Sequence, residues 1–248
     1  MESPYLSIVI PAYNEAARIA PTLRAVSAWL ARQPFSGEIL VIDDGSTDGT
    51  GELVRILAAE LGGIRLIESR PNRGKGHAVR LGMLASRGER RLFMDADHST
   101  PIDELPALMA RLDAGAAVAI GSRRAPGANA ARKPPRYRRA WSRLANRVVR
   151  ASLIDGIRDT QCGFKLFSCG AAEAIFPLVR TAGWGFDLEV LALARRMGLR
   201  VDELPVRFRD DPRSRIRPLR DAVRISREFF RIRRALRDCP PAAGRSAG

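Results

Sequence analysis

Short apolar runs alternate along the chain with stretches whose apolar residues recur at helical spacing. Leu6-Ser7-Ile8-Val9-Ile10 reads as a first strand. Pro11 is expected to end it, because proline has no N–H to give a ladder. Beyond the turn Ala12-Tyr13-Asn14-Glu15, the residues Ile19, Leu23, Val26 and Leu30 predict a helix. Residues 39–42 form a second buried run. It leads straight into Asp43-Asp44-Gly45-Ser46-Thr47-Asp48-Gly49-Thr50, a stretch rich in helix-capping residue types. Leu53, Ile56, Leu57 and Leu61 make the next helical stripe, and residues 64–67 a third strand. The loop Arg70-Pro71-Asn72-Arg73-Gly74-Lys75-Gly76 precedes a helix through Val79 and Met83. A fourth strand, Leu92-Phe93-Met94, runs into Asp95-Ala96-Asp97. Leu105, Leu108, Met109 and Leu112 mark another helix, and residues 116–120 a fifth strand. Strands alternating with helices in this way predict βαβ units: an α/β fold with a mostly parallel sheet flanked by helices.

The pattern changes after Gly121. Residues 114–154 contain no acidic side chain, yet Arg123, Arg124, Arg132, Lys133, Arg136, Arg138, Arg139, Arg143, Arg147 and Arg150 fall inside that span. Its first half, through Pro134-Pro135, reads as a flexible loop. Its second half, with Trp141, Leu144, Val148 and Leu153, reads as a helix. Asp159-Thr160-Gln161-Cys162-Gly163-Phe164-Lys165-Leu166-Phe167 follows. A further helix begins near Gly185-Phe186-Asp187-Leu188-Glu189, and residues 201–208 alternate like a strand. A last helix from about Pro218 carries Arg220, Arg224, Arg227, Arg231 and Arg234 beside an apolar stripe of Ala222, Ile225, Phe229, Ile232 and Leu236. This basic amphipathic helix reads either as interfacial, binding anionic headgroups at roughly 1 kcal/mol per arginine, or as an ordinary packed helix. The chain thus divides into residues 1–122, residues 123–238 with the basic loop and interfacial helices, and a small, Pro/Gly-rich tail, 239–248, predicted to be disordered.

Composition narrows the partners. Hydrophobic residues make up 46% of the 248, enough for a real core. Lys and Arg number 42 against 27 Asp and Glu, a formal charge of +15, and nearly all of the basic residues are arginine. Such an excess calls for a polyanion: nucleic acid, an anionic membrane surface or a phosphorylated substrate. A nucleic-acid-binding module would interleave aromatics with its arginines for base stacking. Only Tyr137 and Trp141 lie in the acid-free span, and the carboxylate-bearing loops would have no purpose, so no nucleic-acid partner is expected. The cysteines Cys162, Cys169 and Cys239 form no CxxC pair, which suggests a reducing compartment without structural zinc. The N-terminus reaches strand-like sequence within a few residues, so no signal peptide is expected, and no run of about 18 apolar residues occurs, so no membrane span is expected and membrane contact would be peripheral.

Asp95 and Asp97 carry the sharpest chemistry. Alternate residues of a strand share a face, so both carboxylates can point beyond the carboxyl end of the sheet, where open α/β folds place ligands. Two adjacent like charges call for a cation between them, and Mg²⁺ or Mn²⁺ is suited to two carboxylates plus substrate phosphate oxygens. The plainer alternative has Asp95 capping the next helix and Asp97 solvated.

The loops PAYNE, DDGSTDGT and DAD, with NRGKG between them, together resemble the inverting GT-A glycosyltransferases of family 2, in which a single Rossmann-like domain binds a sugar nucleotide. Gly121-Ser122-Arg123, DTQCGFKLF and WGFDLE resemble the polyprenyl-phosphate sugar synthases. Within that group they are most like the dolichyl-phosphate β-glucosyltransferases, with the dolichol-phosphate mannose synthases as near neighbours. The resemblance covers about residues 5 to 235.

It implies a donor site of Pro11, Tyr13, Glu15, Asp43, Asp44, Arg70, Lys75, Asp95, Ala96, Asp97, Ser214 and Arg215. Residues 1–122 would then be the nucleotide-sugar-binding half and residues 123–238 the acceptor-binding half. Alternatives stay open at several positions. Tyr13 either packs near the base or belongs to the core, and Glu15 either takes a ribose hydroxyl or caps a helix. Asp44 supports the loop or meets the donor sugar, and Lys75 contacts the diphosphate or is solvated. Mg²⁺ or Mn²⁺ would be held by Asp95 and Asp97, with His98 or Ser99 as third ligand. A phosphate monoester acceptor is already an oxyanion near neutrality and needs no general base. It needs arginines, whose planar fork binds phosphate bidentately. Arg123, Arg138 and Arg213 are the expected acceptor-phosphate ligands unless the span is only a solvated basic face. Arg123 and Arg138 join Asp95 and Asp97 as the catalytic set. Asp159, Gln161, Asp187 and Glu189 are expected to support the site or recognise the sugar, and Cys162 to be core. The implied activity moves a hexose, glucose from UDP-glucose ahead of mannose from GDP-mannose, to a dolichyl or undecaprenyl phosphate at the cytoplasmic membrane face. A sugar-hydroxyl acceptor is the related alternative.

Overall fold

A computed structural model describes residues 3–128, 156–209, 232, 233 and 236. Arg138, Arg213, Ser214, Arg215, the helix expected over 141–153 and the tail 239–248 lie outside the described residues. So does most of the terminal helix. Of its apolar stripe, Ile232 is buried in the core and Leu236 packs against it.

The strands are β1 (Leu6–Ala12), β2 (Gly37–Asp43), β3 (Ile64–Glu68), β4 (Arg90–Met94), β5 (Val118–Ser122), β6 (Phe164–Ser168) and β7 (Val201–Pro205). They form one 7-stranded sheet in the order β3-β2-β1-β4-β6-β5-β7. β1 pairs in parallel with β2 and β4, β2 with β3, and β5 with β7. β6 alone runs antiparallel, wedged between β4 and β5. The mostly parallel sheet flanked by helices is therefore as expected, but β6 is an addition. Its second residue, Lys165, breaks the apolar run that would have marked it.

Several boundaries also differ, β7 among them, which ends at Pro205. β1 does not stop at Pro11. Its ladder with β4 ends at Val9, while its ladder with β2 continues through Pro11 to Ala12, so the missing N–H falls at a strand end with one neighbour left. The fifth strand begins at Val118, two residues later than its apolar pattern suggests.

The helices are α1 (Ile19–Leu30), α2 (Thr50–Leu61), α3 (Lys75–Ala85), α4 (Leu105–Asp113), α5 (Cys169–Ile175) and α6 (Phe186–Arg196). Period-two alternation in the strands divides them between two faces. Val9, Leu40, Ile42 and Phe93 pack with Val79 and Met83 of α3 and with the apolar residues of α5 and α6. Ile8, Ile10, Ile39 and Val41 pack with Leu23 and Val26 of α1, Val54 and Leu57 of α2, and Leu105 and Leu108 of α4. The stripe expected on α2 is rotated by part of a turn. Val54 is buried, whereas Ile56 is 57% exposed.

This arrangement brings the ends of β1, β2 and β4 side by side, so the three carboxylate-bearing loops emerge along one edge of the sheet. α3 lies unusually close beneath them. A Cβ at Gly82 would sit 2.3 Å from Val9 Cγ1 and 2.9 Å from Ile42 Cγ1. Gly82→Ala gains about 1 kcal/mol in helix propensity but overpacks this contact, at a typical cost of about 1–3 kcal/mol. The expected outcome of urea unfolding is a lower midpoint at unchanged m-value. A raised midpoint would mean that the strand face gives way.

Candidate active site

The first two loops are stitched together by side chains that accept or offer single hydrogen bonds. Asn14 adopts φ 55°, and its Oδ1 accepts from Thr47 N at 2.8 Å. Its own N–H donates to Ser46 Oγ at 2.9 Å, and Glu15 N to Thr50 Oγ1 at 2.8 Å. Asp43 Oδ1 accepts from Ser46 N at 2.9 Å, closing the turn that follows β2. Asp44 is buried and faces the next loop. Its carboxylate accepts from Arg73 N at 3.1 Å and from Gly74 N at 2.6 Å, and its carbonyl accepts from Asn72 Nδ2 at 3.0 Å. Of the two readings for Asp44, the geometry favours loop support. Glu15 is clasped by Arg18, whose Nε and Nη2 donate at 2.7 and 2.6 Å. Tyr13 is 44% exposed and is not core. Pro11 is buried in the sheet, and Arg70 is exposed at the far side of its loop beside Glu68.

At the end of β4, Asp95 N donates to Gly163 O at 3.0 Å. The Asp95 carboxylate lies where a side chain on residue 163 would be, since a Cβ there would meet Asp95 Oδ2 at 2.0 Å. A glycine in the QCGFK stretch thus makes room for a carboxylate on another strand. Ala96 is buried, its carbonyl accepting from Thr22 Oγ1 at 2.6 Å. Asp97 Oδ1 accepts from Ser99 N at 3.0 Å, and Asp97 Oδ2 lies 3.9 Å from Arg18 Nη1. His98 has φ 53° and a buried Nε2 without a hydrogen-bond partner. Burial pushes its pKa down, which favours the neutral ring. Among the described residues no three His, Cys, Asp or Glu side chains gather at one point.

A ladder of alternating charge runs inward from Asp95. Lys75 Nζ lies 2.5 Å from Asp95 Oδ1, beneath the face of Trp184 at 5.1 Å. Burial pulls the Lys75 pKa down, but the attraction of Asp95, Asp187 and Asp97 outweighs it and leaves the ammonium above its ordinary value. Lys165 Nζ, fully buried in β6, lies 2.5 Å from Asp187 Oδ1 and donates to Cys162 O at 2.6 Å. Burial pushes the Asp187 carboxyl up, and Lys165 and Lys75 pull it back only in part. Glu189, one helical turn from α6's start, accepts from Arg180 N at 3.0 Å and Thr181 N at 2.7 Å. That loop in turn receives α3: Gly76 N donates to Ala182 O at 2.8 Å. Asp187 and Glu189 are both buried here, each engaged within the protein.

Arg123 and Asp159 form a bidentate pair, Nε to Oδ2 at 2.7 Å and Nη2 to Oδ1 at 2.8 Å. Burial works against the Asp159 carboxylate, but Arg123 dominates and holds its pKa down at about 2. Glu203 of β7 fixes this pair from behind, its carboxylate accepting from Asp159 N at 2.7 Å and from Arg158 N at 2.9 Å. Gln161 is exposed. Cys162 is core, its thiol pushed up to about 12 by burial. Lys165, Trp184 and Glu203 were not among the expected site residues. A lysine set in an otherwise apolar run was the one visible signal, for a charge that sits fully buried must have a partner.

The sequence profile described as Glycosyl transferase family 2 matches residues 7–176. A dolichyl-phosphate β-glucosyltransferase of Trichomonas vaginalis is 39% identical over 83% of this chain and 64% of its own length, so the chain spans just under two thirds of that relative. The protein of the same name from Saccharomyces cerevisiae is 34% identical over 94% of this chain and 75% of its own length. The crystal structure of glucosyl-3-phosphoglycerate synthase from Mycobacterium tuberculosis, in complex with Mn²⁺, UDP and glucosyl-3-phosphoglycerate, superposes with a TM-score of 0.68. It is 23% identical, covering 96% of this chain and 81% of that one, and is a likeness of fold. The resemblance drawn from the loop motifs is borne out, both to the family and to the dolichyl-phosphate β-glucosyltransferases. The chain belongs to glycosyl transferase family 2.

Proposed function

We propose that this glycosyltransferase moves glucose from UDP-glucose to a polyprenyl phosphate in one inverting displacement. The observation that carries the reading is the state of the carboxylates. Asp43, Asp44 and Glu189 accept backbone N–H groups, Asp159 is paired with Arg123, and Asp187 with Lys165. Each of these is engaged by an amide or a cation, and none of them stands unpartnered as a base for a hydroxyl acceptor. A phosphate monoester needs no such base, since its oxygen already bears the charge. The names of the curated relatives support the same acceptor class and the glucosyl donor.

In this reading the turn from Pro11 to Glu15 and the loop from Asp43 receive the nucleoside. Tyr13 is exposed and available to the base. Lys75 meets the diphosphate. Asp95 and Asp97 hold Mg²⁺ or Mn²⁺, the two carboxylates leaving further positions for donor oxygens and water, as hard divalent cations require. When bound, the metal offsets charge on the departing nucleotide as a Lewis acid. Arg123, oriented by Asp159 and Glu203, presents its guanidinium to the acceptor phosphate, with Arg138 and Arg213 as partners and Ser214-Arg215 closing on the donor. The acceptor oxygen bonds to the anomeric carbon as the bond to UDP breaks, and the leaving electron pair stays on the diphosphate. The excess of 15 positive charges suits peripheral attachment at the inner, anionic face of a membrane. Among the described residues no helix is long and apolar enough to cross it.

The direct test follows radiolabel from UDP-glucose and GDP-mannose, side by side, into a short polyprenyl phosphate, with Mg²⁺, Mn²⁺ or chelator. Lipid-phase label from UDP-glucose that chelator abolishes is the expected result. Label only from GDP-mannose would move the donor, and donor hydrolysis without lipid label would move the acceptor. Asp97→Asn should lower turnover by about 10²-fold or more, the scale of a lost charge-stabilising group, with the fold retained by circular dichroism.

Asp159→Asn should raise KM for the polyprenyl phosphate more than it lowers kcat. It should also cost about 1–3 kcal/mol of stability at pH 7, less than a fully buried pair because Arg123 is partly exposed. The pH dependence has a definite sign. With the folded pKa at about 2, below an unfolded value near 3.9, the carboxylate stabilises fully above that unfolded value, and the contribution is lost as pH falls toward 2. The gap in unfolding free energy between wild type and variant should narrow over that window. A constant gap would show that the pair contributes by packing alone.

A further inference from the structure

We propose that Lys75 competes with the metal ion for Asp95, so that metal and nucleotide bind as a coupled pair and the metal alone binds weakly. The inference rests on the reading of Asp95 and Asp97 as the metal carboxylates. Lys75 Nζ stands 2.5 Å from Asp95 Oδ1. A divalent cation that takes this oxygen must approach to about 2.0–2.1 Å for Mg²⁺, and two cations cannot share that position without strong repulsion. The ammonium must therefore move before the oxygen is free.

The lysine's backbone cannot swing aside. A Cβ at Gly74 would meet Ala182 O at 2.5 Å and one at Gly76 would meet Thr181 O at 2.3 Å, so this stretch is locked against residues 181–183. Its amides reinforce the lock, Gly74 N on Asp44 and Gly76 N on Ala182 O. Only the four-carbon side chain is free to turn. The Trp184 ring, 5.1 Å from Nζ, gives the ammonium an apolar face along which to slide.

A donor diphosphate supplies the missing incentive. It offers Lys75 a new anion and the metal new oxygen ligands in one event. Without it, the metal gains Asp95 only by displacing a cation into a site with less negative charge. Linkage makes the effect reciprocal: nucleotide tightens metal as much as metal tightens nucleotide.

The test uses the full chain and Mn²⁺ as probe, free Mn²⁺ being read by electron paramagnetic resonance with and without UDP. Lys75→Met should bind Mn²⁺ without UDP about tenfold or more tightly than wild type, a coupling of ordinary allosteric size. The enhancement by UDP should shrink accordingly. Arg73→Met removes an equal charge from the same loop and should leave Mn²⁺ affinity near wild type, whereas Lys75→Arg should keep it weak. Equal Mn²⁺ affinity for wild type and Lys75→Met, or an equal gain in Arg73→Met, overturns the proposal while the metal site stands. No Mn²⁺ binding to any of them, with or without UDP, overturns the metal reading and the proposal with it. A measurement on the wild type is independent of variant folding. With ¹³C-labelled lysine, the Lys75 Cε resonance should move on adding Mg²⁺ with UDP and stay in place with the same Mg²⁺ alone. Movement with Mg²⁺ alone, to the same position, overturns it.

Discussion

Negative charge held in place at the carboxyl edge of the sheet is the constraint from which the rest of this molecule follows. Asp43, Asp44, Asp95, Asp159, Asp187 and Glu189 come from separate strands, loops and a helix, and most of them are buried. A buried carboxylate without a partner is too costly to keep. Two kinds of partner meet them. Asp43, Asp44 and Glu189 take backbone N–H groups and so determine loop shape. Asp95, Asp159 and Asp187 take Lys75, Arg123 and Lys165, and so determine where positive charge stands.

The division has a functional logic. Amide-bound carboxylates build rigid loops, because a backbone N–H cannot leave without unfolding its turn. Cation-bound carboxylates can exchange partners, and one of them, Asp95, is partly exposed beside Lys75, whereas Asp159 is buried beside a partly exposed Arg123. The innermost pair, Lys165–Asp187, is sealed and serves as foundation. Glu203 extends the scheme one layer further by gripping the backbone of Asp159 rather than its side chain.

Much of this was legible in the residues. Period-two and helical spacing located β1 to β5, β7 and most helices, because those elements bury one apolar face each. Asp95 and Asp97 stood out as two carboxylates at the end of an apolar run, and Lys75 by its flanking glycines. What escaped detection did so for physical reasons. β6 has a lysine at its second position, held by Asp187, distant in sequence, and by the Cys162 carbonyl. Ile56 looked buried because it fits the helical period, yet the true stripe runs through Val54. Asp44 could not be assigned to loop or ligand until the amides of Arg73 and Gly74 were seen against it. Glu203 gave no local sign at all, since its role is defined by the backbone of residues 158 and 159.

The position of β6 bears on how the chain can be made. β4 and β5 belong to the first half of the sequence, yet they do not touch; β6, from the second half, fills the gap between them, and Gly163 at its start shapes the seat of Asp95. A ribosome that has released only the first half has produced β3-β2-β1-β4, with β5 lacking both of its neighbours and Asp95 lacking its seat at Gly163. Residues 1–122 thus do not complete their own sheet, because β6 and β7 come from the second half of the chain.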